Sequence, residues 1–294
     1  MSLGTGTWLV DEVCEAHDVC WNYTMNTELE RTLAFHSMHV QGSPLILPNA
    51  WDVASARVVL AAGARAIATT SAGVAWSFGQ RDGNHLTRTS ALDAVRRIAS
   101  SVAVPITVDI EGGYGETPSD VAVTIAECLD AGVSGVNIED SLRSIDEQEL
   151  RITAARAAAD DAGIPLYINA RIDTHLRGDI GSTGWVEETV TRAATYARAG
   201  ASGIFVLGAL RADTVTELVN ATTLPVNVAF GPGTLSISEL AGAGVSRISA
   251  GSSIAEAAYS VAQHWASTMF DNPDAVVASP PTLGWGALNG LVRD

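Results

Sequence analysis

Along this chain, stretches in which apolar residues recur at helical spacing alternate with short apolar runs, and a small phrase marks each changeover. Ala62-Gly63-Ala64, Ala131-Gly132-Val133, Ala162-Gly163-Ile164, Ala199-Gly200-Ala201 and Ala243-Gly244-Val245 each close an alanine-rich amphipathic stretch. A short apolar, often β-branched run follows each of them. Glycine at such a point supplies the left-handed residue that ends a helix, and the run beyond it reads as a buried parallel strand. The pattern predicts eight strands: Leu45–Pro48, Ala66–Thr70, Ile106–Ile110, Gly135–Glu139, Leu166–Ala170, Gly203–Leu207, Val226–Phe230 and Arg247–Ala250. Helical patterns lie between them, for example Pro118–Ala131 and Glu147–Ala162.

Eight strand-helix units predict an α/β fold, a closed (β/α)8 TIM barrel. The first βα turn is Pro48-Asn49-Ala50-Trp51-Asp52 rather than a glycine-rich fingerprint, which weighs against an open dinucleotide-binding sheet. No linker rich in proline, glycine or serine splits the repeat, so residues 26–270 read as one catalytic barrel domain, with Thr27–Val40 as a helix ahead of the first strand. Residues 1–25 stand outside the repeat as an N-terminal extension. Residues 271–294 form a C-terminal tail with three prolines and Trp285, suited to packing on a neighbouring subunit.

Charge narrows the partners. A formal net charge of −16 argues against nucleic acid or an anionic membrane, both of which call for a basic surface. No apolar run reaches the roughly 18 residues that span a bilayer, and Trp8–Val10 is too short for a signal core. The three cysteines, Cys14, Cys20 and Cys128, lack metal-type spacing and fit a reducing compartment. The expectation is a soluble cytoplasmic protein. All 17 basic residues are arginine. Without lysine there is no Schiff base, no covalent pyridoxal phosphate and no P-loop, so an enolate formed here needs another stabiliser, such as a metal ion.

Candidate chemistry gathers at the strand ends, which face the catalytic mouth of a barrel. The third strand finishes Asp109-Ile110-Glu111-Gly112-Gly113-Tyr114-Gly115, and period-two spacing sends Asp109 and Glu111 to one side. The fourth finishes Asn137-Ile138-Glu139-Asp140 and the fifth Asn169-Ala170-Arg171-Ile172-Asp173, while Asp52 and Asp82 follow the first two strands. Carboxylates crowded on one rim repel one another unless a hard dication such as Mg2+ balances them, some through water. Asp109, Glu111 and Glu139 therefore read as a metal site, and Arg171 as a planar fork for a carboxylate or phosphoryl group. Asp52 and Asp140 also fit simple helix caps. The backbone amides of Thr69-Thr70-Ser71-Ala72-Gly73 are suited to an anionic oxygen, and equally to a plain turn.

Leu47-Pro48-Asn49-Ala50-Trp51-Asp52, Thr70-Ser71-Ala72-Gly73, the Asp109–Gly115 segment, Asn137-Ile138-Glu139-Asp140 and Asn169-Ala170-Arg171 occur in this order. Together they resemble the isocitrate lyase/phosphoenolpyruvate mutase superfamily from about Leu45 to Ala266. The resemblance implies a Mg2+ or Mn2+ ion with Asp109 as the direct ligand and Asp82, Glu111 and Glu139 acting through bound water. It implies a 2-oxo acid substrate bound by Thr70, Ser71, Ala72, Gly73 and Arg171, with Trp51 and Asn169 beside them. It further implies a homotetramer, a dimer of dimers, whose last helix (Ile254–Ala266) is swapped between subunits.

The departures direct the functional expectation. The segment after Glu139, Ser141-Leu142-Arg143-Ser144-Ile145-Asp146, lacks the cysteine of the isocitrate lyases and the lysine of the mutases. Leu207-Gly208 stands where the mutases carry a histidine. What remains is a less-characterised branch, and the expected activity is a metal-dependent lyase or decarboxylase that breaks a C–C bond of a small 2-oxo- or 2-hydroxycarboxylate through an enolate. Arg171, Glu139, Tyr114 and His175 are the candidate catalytic residues, with His85 and a bound water also open as proton carriers; His175 reads equally as a surface-loop histidine. A phosphonopyruvate hydrolase and a barrel that binds a 2-oxo acid without turnover are the alternatives.

Overall fold

A computed structural model describes residues 27–177, 184–271 and 284–292. The N-terminal extension, residues 1–25, lies outside the described residues, as does most of the tail. Among the described residues nine parallel strand segments form one sheet: β1 Leu45–Leu47, β2 Asn49–Ala50, β3 Ile67–Thr69, β4 Ile106–Asp109, β5 Gly135–Glu139, β6 Tyr167–Ile172, β7 Gly203–Val206, β8 Val226–Ala229 and β9 Arg247–Ser249. Their order is β1-β9-β8-β7-β6-β5-β4-β3-β2. β1 pairs with β9 and β2 with β3, and only Pro48 separates β1 from β2. Proline has no N–H to give a ladder, so the first strand hands over from one neighbour to the other at that residue. Read as one strand broken at Pro48, it closes the ring, and the eight-stranded barrel expected from the sequence is the observed fold.

Local signals fix the helix ends. Thr27 caps Glu28–Ser37 through a reciprocal pair with Glu30, and that helix stops before the Val40 expected for it. Thr117 caps Pro118–Asp130, with Pro118 in the first turn where its missing N–H costs nothing. Ser144 caps Ile145–Asp161, two residues ahead of the expected start. Asp52 accepts the Ser55 N–H at 2.7 Å and is a cap, as one reading of it held. The five changeover glycines, Gly63, Gly132, Gly163, Gly200 and Gly244, all have φ between +72° and +103°, the left-handed geometry that a helix end requires.

Apart from the exposed Ile46 of β1, the strands are buried on both faces but do not treat the faces alike. Val136, Ile138, Ile168, Ala170, Val226, Val228 and Ile248 pack outward against the helices in one large apolar core. The residues between them, Asn137, Asn169, Asn227 and Arg247, are buried inside the barrel and bond to one another or to Ser249. A barrel interior is usually filled by branched apolar side chains. Here an apolar cluster of Phe35, Leu45, Leu47, Ala66, Ala68 and Tyr167 is joined by a polar layer that carries the floor of the mouth.

Candidate active site

β4 ends at Asp109, and its backbone N–H donates to Thr69 Oγ1 at 3.0 Å on the neighbouring strand. Ile110 and Glu111 lie beyond the strand, and Glu111 is left-handed at φ +51°. A turn, not the alternation of a strand, therefore places Glu111. The turn still joins the two acids: the Glu111 N–H donates to Asp109 Oδ1 at 3.1 Å. Glu111 is only 2% exposed, and its carboxylate accepts the backbone N–H of Asn84. Gly112 and Gly113 follow, where added methyl groups would collide with the Arg143 guanidinium and with Val121.

On the adjacent strands Glu139 and Arg171 stand opposite each other in register. Arg171 Nη1 lies 2.6 Å from Glu139 Oε2, while Nε and Nη2 hold Asp173 Oδ1 and Oδ2 at 2.7 and 3.2 Å. Ser141 Oγ donates to the other Glu139 oxygen at 2.6 Å. A guanidinium has five N–H donors. Among the described residues three are used, so two remain for a ligand. Asp140 is not the cap one reading gave it; buried, it accepts from Arg192, from the Tyr196 hydroxyl and from the N–H groups of Leu142 and Asp173.

Burial and mutual repulsion dominate the electrostatics. Burial raises the Asp109 carboxyl to about 6; Glu139 adds to the rise, and Arg171, the Glu111 N–H and the Ser71 hydroxyl oppose it. Burial raises Glu111 to about 7, helped by Asp109, Asp82 and Glu139 against the Asn84 N–H. The Tyr114 hydroxyl is pushed up by burial and by Glu111 and Asp109, so it stays protonated and keeps its hydrogen to donate. Burial would lower Arg171, but Glu139, Asp173 and Asp109 outweigh it and hold the guanidinium charged.

Asp109 and Arg171 border a cavity of about 350 Å3 at the C-terminal mouth of the barrel. One wall is polar and carries Asn49, Ser71, Asp82, Asp109, Asn137 and Arg171. The lining also includes the apolar side chains of Leu176, Phe205, Leu207, Phe230 and Pro232. Of the residues singled out in the sequence, Asp82, Asp109, Arg171, Thr70, Ser71 and Ala72 line this space. Glu111 and Glu139 stand behind it, coupled to Asp109 and Arg171.

The remaining candidates lie elsewhere. Ser71–Ser77 is a short helix, not a turn, and Gly73 is small because a methyl there would sit 2.8 Å from Trp51 Cβ and Thr70 Cγ2. Trp51 packs toward Tyr259 rather than into the cavity. Asn169 is fully buried and donates to Asn137 Oδ1 at 2.9 Å, below the mouth. Tyr114 opens on a neighbouring crevice with Asn84 and Arg143. His175 rests against Gly208 and Trp185, with 4.5 Å between the ring centroids. Sequence reasoning passed over Asn49, Asn137, Asp173, Phe205 and Phe230. A signal existed for Asp173, two residues beyond Arg171 and on the same side, and for Asn137, a polar residue inside an apolar strand. For the two phenylalanines there was none.

Among the described residues, no three Asp, Glu, His or Cys side chains converge closely enough to hold an ion directly. A closed protein cage for a metal is therefore absent there. An oxygen-only rim with two carboxylates, Asp82 and Asp109, on the cavity wall and others at one remove fits Mg2+, which keeps several waters and takes few protein ligands. The raised carboxyls of Asp109 and Glu111 point the same way, since both are acids short of positive charge.

Comparison with known proteins agrees with this architecture. The family model described as phosphoenolpyruvate phosphomutase matches residues 35–270. An uncharacterized protein of Mycobacterium tuberculosis is 39% identical over 245 residues, covering 81% of this chain and 90% of its own. An oxaloacetate decarboxylase of Rhodopseudomonas palustris is 30% identical over 162 residues, 53% of this chain and 55% of its own. A solved structure from Burkholderia cenocepacia J2315, described as a candidate phosphonomutase, shares 40% identity at a TM-score of 0.78 over 83% of this chain and 99% of that one. Oxaloacetate acetylhydrolase bound to its product oxalate has the same fold, with a TM-score of 0.77 at 22% identity over 89% and 93% of the two chains. The chain belongs to the phosphoenolpyruvate phosphomutase family, within the isocitrate lyase/phosphoenolpyruvate mutase superfamily, and is an enzyme of that group of lyases and mutases. No helix among the described residues is long and apolar enough to cross a membrane.

Proposed function

We propose that this enzyme is a Mg2+- or Mn2+-dependent lyase or decarboxylase that breaks a C–C bond of a small 2-oxo- or 2-hydroxycarboxylate. The observation that carries this reading is the pairing of Asp109 and Arg171 on one wall of the cavity, with Glu111, Glu139 and Asp173 fixing their positions. When bound, the cation supplies positive charge toward the carboxylate and oxo oxygens of the substrate. Asp109 would hold it, with Asp82, Glu111 and Glu139 contacting its waters. The two unused N–H groups of Arg171 bind the substrate carboxylate and face the negative charge that develops as the bond beside the carbonyl breaks. Glu139 and Asp173 keep the guanidinium flat against the rim. Tyr114, neutral and buried, is suited to donating a hydrogen bond rather than to releasing its proton. His175 stands further back, so we assign it a supporting place rather than a contact with substrate.

Pyruvate release from oxaloacetate and a panel of substituted malates, on metal-stripped protein before and after Mg2+, tests the proposal. Metal-dependent release that disappears in Asp109→Ala is the expected result; activity indifferent to that substitution overturns it. The likeness to the Burkholderia candidate phosphonomutase favours a second reading, cleavage of a P–C bond. Phosphate release from phosphonopyruvate without pyruvate from the carbon substrates would establish that reading instead.

A further inference from the structure

Asn137 lies on β5 beside Asp109 of β4 in register, and it lines the cavity. Its amide oxygen is doubly engaged: Asn169 Nδ2 donates to it at 2.9 Å and Arg247 Nη2 at 3.2 Å. A guanidinium can only donate, so the contact with Arg247 requires the oxygen, not the nitrogen, to face inward. No described residue accepts from Asn137 Nδ2. The amide thus has one orientation, oxygen down into the barrel and nitrogen toward the cavity.

Arg247 is an expensive way to set one amide. It is fully buried on β9, its Nη1 lacks a hydrogen-bond partner among the described residues, and the negative charge that acts on it, Asp109, makes no ion pair with it there. Its Nε is spent on Ser249 Oγ at 3.1 Å, which in turn donates to Asn227 Oδ1. A buried unpaired charge opposes folding, and an apolar side chain of similar size would fill the same space at less cost. Arg247, Asn169, Ser249 and Asn227 therefore look like a scaffold whose output is the direction of the Asn137 amide.

We propose that Asn137 is a substrate-binding residue, whose Nδ2 donates to an anionic oxygen of the 2-oxo acid beside Asp109, and that Arg247 is the positioning residue that fixes it. This rests on the lyase reading and adds to it a donor at the floor of the site, on the strand next to the one that carries Arg171. The geometry suits a planar ligand with adjacent carboxylate and oxo oxygens. One end meets Arg171 and the other meets Asn137.

Calorimetric titration of oxalate, which carries two such adjacent oxygen pairs, separates the possibilities when run at saturating Mg2+. Asn137→Leu removes the donor without adding charge and is expected to weaken oxalate at least about 10-fold, the loss typical of one hydrogen bond to a charged group, with Mg2+ affinity unchanged. Asn137→Asp gives Arg247 a carboxylate partner, so it is expected to melt no lower than the parent while losing oxalate more completely. Arg247→Lys keeps a charge but not the fork, and is expected to weaken oxalate several-fold with Mg2+ affinity intact. Wild-type oxalate affinity in the Leu or the Asp variant overturns the role of Asn137. Failure of the parent protein to bind Mg2+ and oxalate at all would instead bring down the lyase reading, and this inference with it.

Discussion

Arg171 and Glu139 occupy facing positions on neighbouring strands, and their side chains meet at 2.6 Å. The same guanidinium grips Asp173 along its other edge, so two buried carboxylates hold one arginine at the cavity wall. Lysine cannot reproduce that fork. In Arg171→Lys, at least one acid loses its partner and the substrate loses a planar donor pair. The expected outcome is a fall in kcat/KM of about 100-fold or more, in line with the loss of a donor aimed at developing charge. Steady-state kinetics at fixed Mg2+ measure it. A loss confined to within about threefold would mean that Arg171 serves the fold alone.

Metal binding should show as stability, independently of turnover. If Asp109 holds the cation, Mg2+ at ~100 times its Kd adds about 2.7 kcal/mol to the folded state, a rise in Tm of roughly 5–10 °C for a domain of this size. Asp109→Asn is expected to erase that rise. A variant that still responds fully to Mg2+ in a thermal melt would remove Asp109 from the metal site.

The metal-free enzyme should respond to pH in a direction set by its raised carboxyls. Asp109 rises from its ordinary 3.8 to about 6, and Glu111 from 4.5 to about 7. Between those limits the folded chain binds more protons than the unfolded one, so these two groups lower stability as pH climbs through that window. His36 and His39, buried and pushed down, the latter to about 3, act with the opposite sign as pH falls below 6.5. The measurement is therefore a difference. Melts of the parent and of Glu111→Gln, recorded from pH 4.5 to 7.5 in chelator, should diverge toward high pH, with the variant relatively more stable there. Parallel curves would contradict the raised Glu111 carboxyl.

Asp140 sits one residue past Glu139, yet its partners are structural: Arg192 Nη1 and the Tyr196 hydroxyl, each at 3.0 Å, and two backbone N–H groups. Asp140→Asn leaves the Arg192 charge without its buried counterpart. A loss of about 3 kcal/mol follows from breaking one side of such a pair. Urea titration reads it directly, and an unchanged midpoint would show the network to be dispensable.

Assembly is a further proposal. Only Ala255 is buried in the helix Ser253–Asp271, while Tyr259, Val261, Met269 and Phe270 are 43%, 47%, 72% and 86% exposed. A swapped helix in a tetramer would cover that surface. Sedimentation of the parent should give four subunits, and Phe270→Glu should shift the distribution to smaller species; a parent that sediments as a monomer ends the proposal.

Much of the barrel was legible because its signals are local. Alanine-glycine changeovers mark helix ends through backbone geometry that glycine alone adopts easily, and β-branched runs mark buried strands. The acids at strand ends were legible too, since a barrel places those ends at its mouth. Spacing could not say which of them reach the cavity. Glu111 enters the site through a left-handed turn rather than along a strand, and Asp140 turns away into a salt-bridged network. Asn169, read as a substrate contact, sits a layer lower and holds Asn137 instead. Radial direction in a closed barrel depends on strands far apart in sequence, so only the tertiary structure could set Arg247 of β9 against Asn137 of β5, 110 positions away. The sequence by itself determined the ring of strands and the chemistry placed on its rim. Tertiary packing decided which of those side chains face the ligand, because burial and pairing across the barrel fix their orientation.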